Sequence, residues 1–371
     1  MRILFTGGGT GGHFFPIVAV IRELKRIAEE EQILNLELYY MGPDDFGEET
    51  LKQEGVLAVR VQSGKIRRYF SFKNFTDTLN LFGGILKGLW NMILIMPDMV
   101  FSKGGYGALP AVIAAAILRI PLIVHESDAV PGQVNKFSAK FATRIGIAFS
   151  GAAKFFPKEK TAFVGIPIRR RILGGDRKEA KENLDIFSDL PIIGIIGASQ
   201  GSQKLNEAVL EILKDLTDKF EVVHQTGSNN FGDVNGQAKI ILEFAHKERY
   251  HPFGFLDETS LRDFYIASDL IVSRAGSSIF EIAAWGKSSI LVPLPHAAQD
   301  HQRKNAYEYA AEGAALVIEE ENLTPHLLLA EIEKILADPE LMKKMSDAAQ
   351  KLARIDSAEI IAREILKLGV H

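Results

Sequence analysis

Part of this chain recurs in its second half. Asp98-Met-Val-Phe-Ser102-Lys103-Gly-Gly105 returns as Asp269-Leu-Ile-Val-Ser273-Arg274-Ala-Gly276, and each copy runs into an Ala-rich helical segment and then another apolar strand. A second echo accompanies it. Ile3-Leu4-Phe5 breaks into Gly7-Gly8-Gly9-Thr10-Gly11-Gly12-His13, and Ile195-Ile196-Gly197-Ala198-Ser199-Gln200-Gly201 repeats that order of strand, turn and helix. Between these landmarks, runs rich in Ile, Leu and Val alternate with longer helical segments: residues 2–6, 37–41, 99–102 and 122–125, then 192–196, 221–225, 270–273 and 290–293. Unbroken apolar runs separated by helices describe parallel strands covered on both faces.

The expected fold is therefore α/β, with two doubly wound Rossmann-like domains whose parallel sheets face a central cleft, because such sheets bind ligands beyond the carboxyl ends of their strands. A length of 371 residues exceeds what one core usually supports. The Gly and Pro of Val164-Gly165-Ile166-Pro167 mark the join, giving domains 1–164 and 165–354, with a last helix in 355–371 returning to the first domain. The absence of cysteine excludes a disulfide framework, a thiol nucleophile and a thiolate zinc site. A net charge of −4 gives no global attraction to nucleic acid. The longest apolar stretch, Ala108 to Leu118, is too short to span a bilayer, and the N-terminus lacks the regions of a signal peptide, so a cytosolic setting is expected.

Five glycines within residues 7–12 permit a sharp turn with uncovered N–H groups at the start of a helix. This alone fits a dinucleotide fingerprint. A nicotinamide or flavin enzyme would need an acidic residue at the end of the second strand, yet Leu38-Tyr39-Tyr40-Met41-Gly42 has none and Asp44 lies beyond Pro43. His13 is the unusual member of the turn. The adjacent helix N-terminus disfavours imidazolium, which makes His13 a candidate general base, the alternative being a His that only caps its helix.

The joint order and spacing of these segments resembles the MurG family, the N-acetylglucosaminyltransferases of peptidoglycan synthesis, which have the twin-domain GT-B architecture. The resemblance runs nearly end to end: residues 7–13, Ser102-Lys-Gly-Gly-Tyr-Gly107, His125-Glu126 with Pro131-Gly132 and Asn135-Lys136, Ser199-Gln200-Gly201, Ser273-Arg-Ala-Gly276, Glu281-Ile-Ala-Ala284 and Asp300-His301-Gln302. Asp128 stands where relatives commonly have Asn, and Ile166 where Asn precedes the Pro. The implied reaction is inverting transfer of N-acetylglucosamine from UDP-N-acetylglucosamine to the 4-hydroxyl of the muramoyl sugar of undecaprenyl-diphosphate-linked lipid I, giving lipid II and UDP. A sugar-nucleotide epimerase or a non-catalytic carrier on the same fold is the rival reading.

Displacement at an anomeric carbon needs a base for the acceptor hydroxyl and stabilisation of the departing diphosphate. The resemblance implies His13 and Glu126 as the catalytic pair, and the residues leave open whether His13 or a carboxylate takes the proton. It places Thr10, Gly11, Gly12, Tyr106, Asp128 and Asn135 on the acceptor side. For the donor it implies Arg169 and Ser199-Gln200-Gly201 at the diphosphate, Glu281 at the ribose, Leu256 at the uracil and Gln302, together with His301 and Asn305, at the sugar; Ser199 is alternatively a plain helix cap. No cofactor and no obligatory catalytic metal are expected, since no Asp-X-Asp carboxylate pair stands in the relevant turns, although divalent ions could aid the diphosphate acceptor.

Residues 65–90 interleave bases and aromatics. Arg67, Arg68, Phe72, Lys73 and Phe75 are expected at an anionic membrane surface, while Leu79, Phe82, Leu86 and Trp90 recur at helical spacing and are expected in the core. The implied setting is peripheral, on the cytoplasmic face of the bacterial inner membrane. The implied partners are UDP-N-acetylglucosamine, lipid I and that membrane; other cell-wall synthesis proteins are left open, and no nucleic-acid recognition motif is present.

Overall fold

The computed structural model describes residues 1–8, 10–43, 47–63, 73–197, 201–295 and 297–369, with side-chain placement omitted at 73–81 and 298. Cα packing divides the chain into Met1–Arg169 with Arg354–His371, and Arg170–Ala353. The division falls after Arg169 rather than within the Gly-Pro segment, so Arg169 belongs with the first unit.

The first unit holds a seven-stranded sheet. Its strands are β1 (Arg2–Thr6), β2 (Glu37–Gly42), β3 (Leu57–Arg60), β4 (Met99–Ser102), β5 (Leu122–Glu126), β6 (Arg144–Ile147) and β7 (Thr161–Phe163). They lie in the order β3-β2-β1-β4-β5-β6-β7, every pair parallel. One face is covered by the helix Gly11–Glu30 and by Ser357–Gly369, whose Ile361, Ala362, Ile365 and Leu366 enter the same core as Ile17, Val20, Ile21 and Leu24. The other face is covered by Leu109–Leu118 and by the C-terminal part of Lys73–Ile95.

That last helix corrects one expectation. Phe82, Leu86, Trp90 and Leu94 are 63%, 53%, 63% and 63% exposed, so the large apolar stripe is turned outward. The packed face is instead Gly84, Gly88 and Met92. A Cβ on Gly88 would lie 3.3 Å from Pro110 Cβ, and one on Gly84 would strike the Gln62 carbonyl. Glycine at i and i+4 lets this helix lie close upon Leu109–Leu118, and the bulky residues half a turn away are exposed.

The second unit has a six-stranded parallel sheet of β8 (Ile192–Ile196), β9 (Glu221–Gln225), β10 (Tyr250–Phe253), β11 (Leu270–Ser273), β12 (Ser288–Leu291) and β13 (Ala315–Val317). Its order, β10-β9-β8-β11-β12-β13, repeats that of the first six strands. The repeat extends to single atoms. Asp98 Oδ2 accepts from the Arg2 N–H at 2.7 Å, and Asp269 Oδ2 accepts from the Ile192 N–H at 2.9 Å, each tying the start of the fourth strand of its sheet to the start of the first. In both sheets the order reverses between these strands, β1 and β4 or β8 and β11, opening a crevice beyond their carboxyl ends.

Candidate active site

At the carboxyl end of the first sheet, β1 gives way to Gly7-Gly8 and β4 to Lys103-Gly104-Gly105. Gly104 and Gly105 adopt φ of +82° and +80°, a conformation that glycine holds without strain. The helix Gly11–Glu30 begins after Thr10, which has extended backbone and no side-chain cap, and which accepts the His13 N–H at its carbonyl. His13 is thus in the first turn, its half-buried ring lying over glycine on two sides. A Cβ on Gly8 would come within 3.2 Å of His13 Cδ2, and one on Gly105 within 3.6 Å of Nε2.

His13 Nδ1 is 3.2 Å from the Lys103 carbonyl oxygen. A carbonyl can only accept, so Nδ1 carries the proton in the neutral ring and Nε2 is left with the lone pair. The histidine is therefore held in the tautomer a general base needs.

The loop after β5 gathers Glu126, Asp128 and Asn135. Glu126 is buried, with Oε1 accepting from the Asp128 N–H at 2.8 Å and Oε2 accepting from the Gly132 N–H at 3.0 Å and Asn135 Nδ2 at 2.9 Å. Burial, then the neighbouring Asp128, raises its pKa above the ordinary carboxylate value. Both oxygens are committed to the loop, an arrangement that suits a group holding its neighbours in place. Asn135 also donates to the His125 carbonyl at 3.2 Å, while its buried Oδ1 has no partner among the described residues. A Cβ on Gly104 would collide with that amide, so Gly104 is fitted to Asn135. Tyr106, in a short 3-10 turn beyond Gly105, is 37% exposed. Arg169 is buried with its guanidinium 4.2 Å from the centre of the Phe15 ring, on the helix that carries His13.

In the second unit, Ser199 and Gln200 lie outside the described residues. Gly201 has φ +75°, and a Cβ there would collide with the Thr226 carbonyl. The cap of the following helix, Gln203–Glu211, is Ser202, whose Oγ accepts from the Leu205 N–H. Arg274 is the functional candidate that sequence reasoning left unassigned, although the internal repeat pointed to it as the counterpart of Lys103. Its buried guanidinium donates to Ser202 Oγ at 2.5 Å and to the Val292 carbonyl at 2.9 Å, and it pairs with Glu320. It thus braces the start of the helix beyond the β8 turn.

Glu281 lies on the helix Ser278–Ala284 with Oε2 accepting from Tyr265 OH at 2.9 Å. Gln302 opens the helix His301–Ala311, and its Oε1 accepts from the Leu294 N–H at 3.0 Å. Just before it, Gln299 and Asp300 both have positive φ, 59° and 58°. Two successive non-glycine residues in this region are uncommon. Asn305 is buried and donates to the Ala275 carbonyl at 3.3 Å, joining that helix to the turn after β11. Leu256 is buried beside the exposed Phe255. Arg67, Arg68 and Phe72 lie outside the described residues, as do the side chains of Lys73 and Phe75.

Residues 3–147 match the glycosyltransferase family 28 N-terminal domain, and residues 192–360 match its C-terminal domain. The UDP-N-acetylglucosamine--N-acetylmuramyl-(pentapeptide) pyrophosphoryl-undecaprenol N-acetylglucosamine transferase of Thermoanaerobacter sp. (strain X514) is 35% identical over 373 residues, covering 98% of this chain and 99% of that one. A Bacillus anthracis transferase of the same name is 35% identical over 345 residues, 92% of this chain and 93% of its own.

The chain belongs to the MurG family.

It is accordingly a glycosyltransferase of the GT-B fold. Among solved structures, Acinetobacter baumannii MurG superposes with a TM-score of 0.75 at 25% identity, covering 99% of both chains. The UDP-GlcNAc 2-epimerase of Neisseria meningitidis, crystallised with UDP-GlcNAc, reaches a TM-score of 0.70 at 15% identity, covering 99% of this chain and all of its own, and shares the fold alone. Sequence identity of 35% across both domains with the MurG-family transferases, against 15% with this epimerase, places the chain with the transferases.

Proposed function

We propose that this member of the MurG family transfers N-acetylglucosamine from UDP-N-acetylglucosamine to the 4-hydroxyl of the muramoyl sugar of undecaprenyl-linked lipid I, inverting the anomeric centre and releasing UDP and lipid II. End-to-end identity with transferases named for this reaction carries the assignment, and the tautomer of His13 supports its chemistry. Nε2 takes the proton of the attacking hydroxyl while the Lys103 carbonyl stabilises the charge gained at Nδ1. Glu126 is a positioning residue that holds Asp128, Gly132 and Asn135 for the acceptor, and Thr10, Gly11, Gly12 and Tyr106 are assigned as its further contacts.

On the donor side, we assign the diphosphate to the segment Ser199-Gln200-Gly201, just before the helix Gln203–Glu211 in sequence, whose dipole favours the charge of the leaving UDP. Arg169 supplies a further cation. The Glu281 carboxylate accepts from the ribose, Leu256 walls the base and Gln302 reads the sugar. Incubation with labelled UDP-N-acetylglucosamine and a lipid I analogue tests the assignment. A labelled disaccharide-lipid product is expected; conversion to a free epimer, or binding without turnover, would overturn it.

The enzyme meets its lipid-linked acceptor as a peripheral protein at the cytoplasmic face of the membrane. None of the described helices is long and apolar enough to cross a bilayer. Phe82, Leu86, Trp90 and Leu94 form an outward apolar stripe on the helix that Lys73 begins, with Arg67 and Arg68 just before it in sequence. Aromatic and aliphatic side chains entering the interface beside basic ones are the ordinary means of such attachment. Sedimentation with anionic vesicles should fall several-fold for Leu86→Ser/Trp90→Ser, and also when Arg67, Arg68 and Lys73 are replaced. Equal binding to anionic and neutral vesicles by all variants would remove the basic residues from the account.

A further inference from the structure

The Lys103 side chain takes no part in the chemistry above, yet it is wholly buried where the parts of the first-unit site converge. Its N–H donates to the Thr6 carbonyl at 2.9 Å, its carbonyl accepts from His13, and its Nζ donates to Ser127 Oγ at 2.8 Å. The charged and titratable groups facing the ammonium are Glu126 and Asp128, from the end of β5 and its following loop, and His125 within β5; His13 is joined to it through the backbone. His125 is held neutral, well below its usual range, chiefly by burial and then by this ammonium. The cluster is therefore one cation against two carboxyl groups. Without the cation, the loop would present uncompensated negative charge at low dielectric to any anionic ligand.

We propose that the Lys103 ammonium is a positioning residue for the acceptor, holding the loop from Glu126 to Asn135 against the β4 turn and offsetting its carboxylates so that a diphosphate-bearing ligand can bind. This rests on the acceptor-side reading of the first unit given above. A second consequence concerns pH. Burial lowers the Lys103 pKa to about 8, so the charge is present below that pH and is lost as pH rises through it. Acceptor affinity should fall with it. An arginine keeps its proton throughout this range.

Kinetics with a water-soluble lipid I analogue and UDP-N-acetylglucosamine, from about pH 6.5 to 9.5, test this on wild type, Lys103→Arg and Lys103→Met. For wild type, kcat/KM for the acceptor should fall about tenfold per pH unit above pH ~8, while the donor KM changes less than about twofold. Lys103→Arg should remove that limb, and Lys103→Met at pH 7 should raise the acceptor KM roughly tenfold or more with the donor KM unchanged. An identical alkaline limb in wild type and Lys103→Arg would overturn the proposal, as would equal effects of Lys103→Met on both substrates. Should Lys103→Met fail to fold by circular dichroism, the comparison of wild type with Lys103→Arg decides alone. Equilibrium binding of the acceptor analogue across the same pH range gives the same comparison without turnover, so an inactive wild type would count against the activity and leave this inference decidable.

Discussion

His13 and the glycines around it make the smallest functional unit of the site. Replacing His13 with Ala should lower kcat by about 10²- to 10⁴-fold, the usual contribution of a positioned base, with UDP-N-acetylglucosamine affinity retained. Unchanged turnover would take His13 out of the mechanism. Gly105→Ala tests the fit from the other side. At φ +80° a side chain costs roughly 1–2 kcal/mol, and the new methyl would lie 3.0 Å from Gly8 Cα and 3.6 Å from His13 Nε2. The variant should lose activity out of proportion to any fall in melting temperature. The turn, the His and the carboxylates could all be read from the order of residues. The tautomer could not, because its hydrogen-bond partner is a backbone carbonyl ninety residues away in sequence. Nor could the burial of Glu126, which depends on where a loop folds.

Among the elements, the helix Lys73–Ile95 was the hardest to read. Large apolar residues at helical spacing usually mean a buried face. Here the buried face is Gly84, Gly88 and Met92, and a pattern that weighs hydrophobic bulk misses a surface defined by lack of it. The two faces predict opposite behaviour. Gly84→Ala should destabilise the first unit by about 1–3 kcal/mol through overpacking against the Gln62 backbone. The vesicle-binding variant Leu86→Ser/Trp90→Ser should melt close to wild type. Thermal denaturation of both decides the point. The strands that sequence reading passed over are mostly edges: β3 and β7 in one sheet, β10 and β13 in the other. β3, β7 and β13 carry no fully buried residue, so they lack the apolar run that identifies an interior strand. Pro252 sits in β10, where an edge tolerates it.

Over the whole molecule, the duplicated strand order was legible because both halves carry the same punctuation, down to the aspartate that ties the fourth strand of each sheet to the first. Their stabilities should also share an acid limit, since each unit buries a neutral histidine. His224 in β9 lies between Tyr250 OH at 3.0 Å and Asn206 Oδ1 at 3.1 Å, and burial lowers its pKa to about 3. The unfolded chain takes up that proton near pH 6.5 and the native chain resists it, so the stabilisation is complete above pH ~6.5 and is lost as pH falls towards about 3. At pH 5 the loss from this group is about 2 kcal/mol. Urea midpoints at pH 7 and 5 should move closer together in His224→Gln, and an unaltered gap would exclude His224 as a source of it.

The return of Ser357–Gly369 to the first unit bears on the order of assembly. The helix Gly11–Glu30 leaves the ribosome early, but the side chains that cover it, Ile361, Ala362, Ile365 and Leu366, are made only after the entire block from Arg170 to Ala353. During synthesis the second unit can close its own core while the first still exposes apolar surface, although domains generally complete in order from the N-terminus. The half of the enzyme that carries His13 begins first and is finished last.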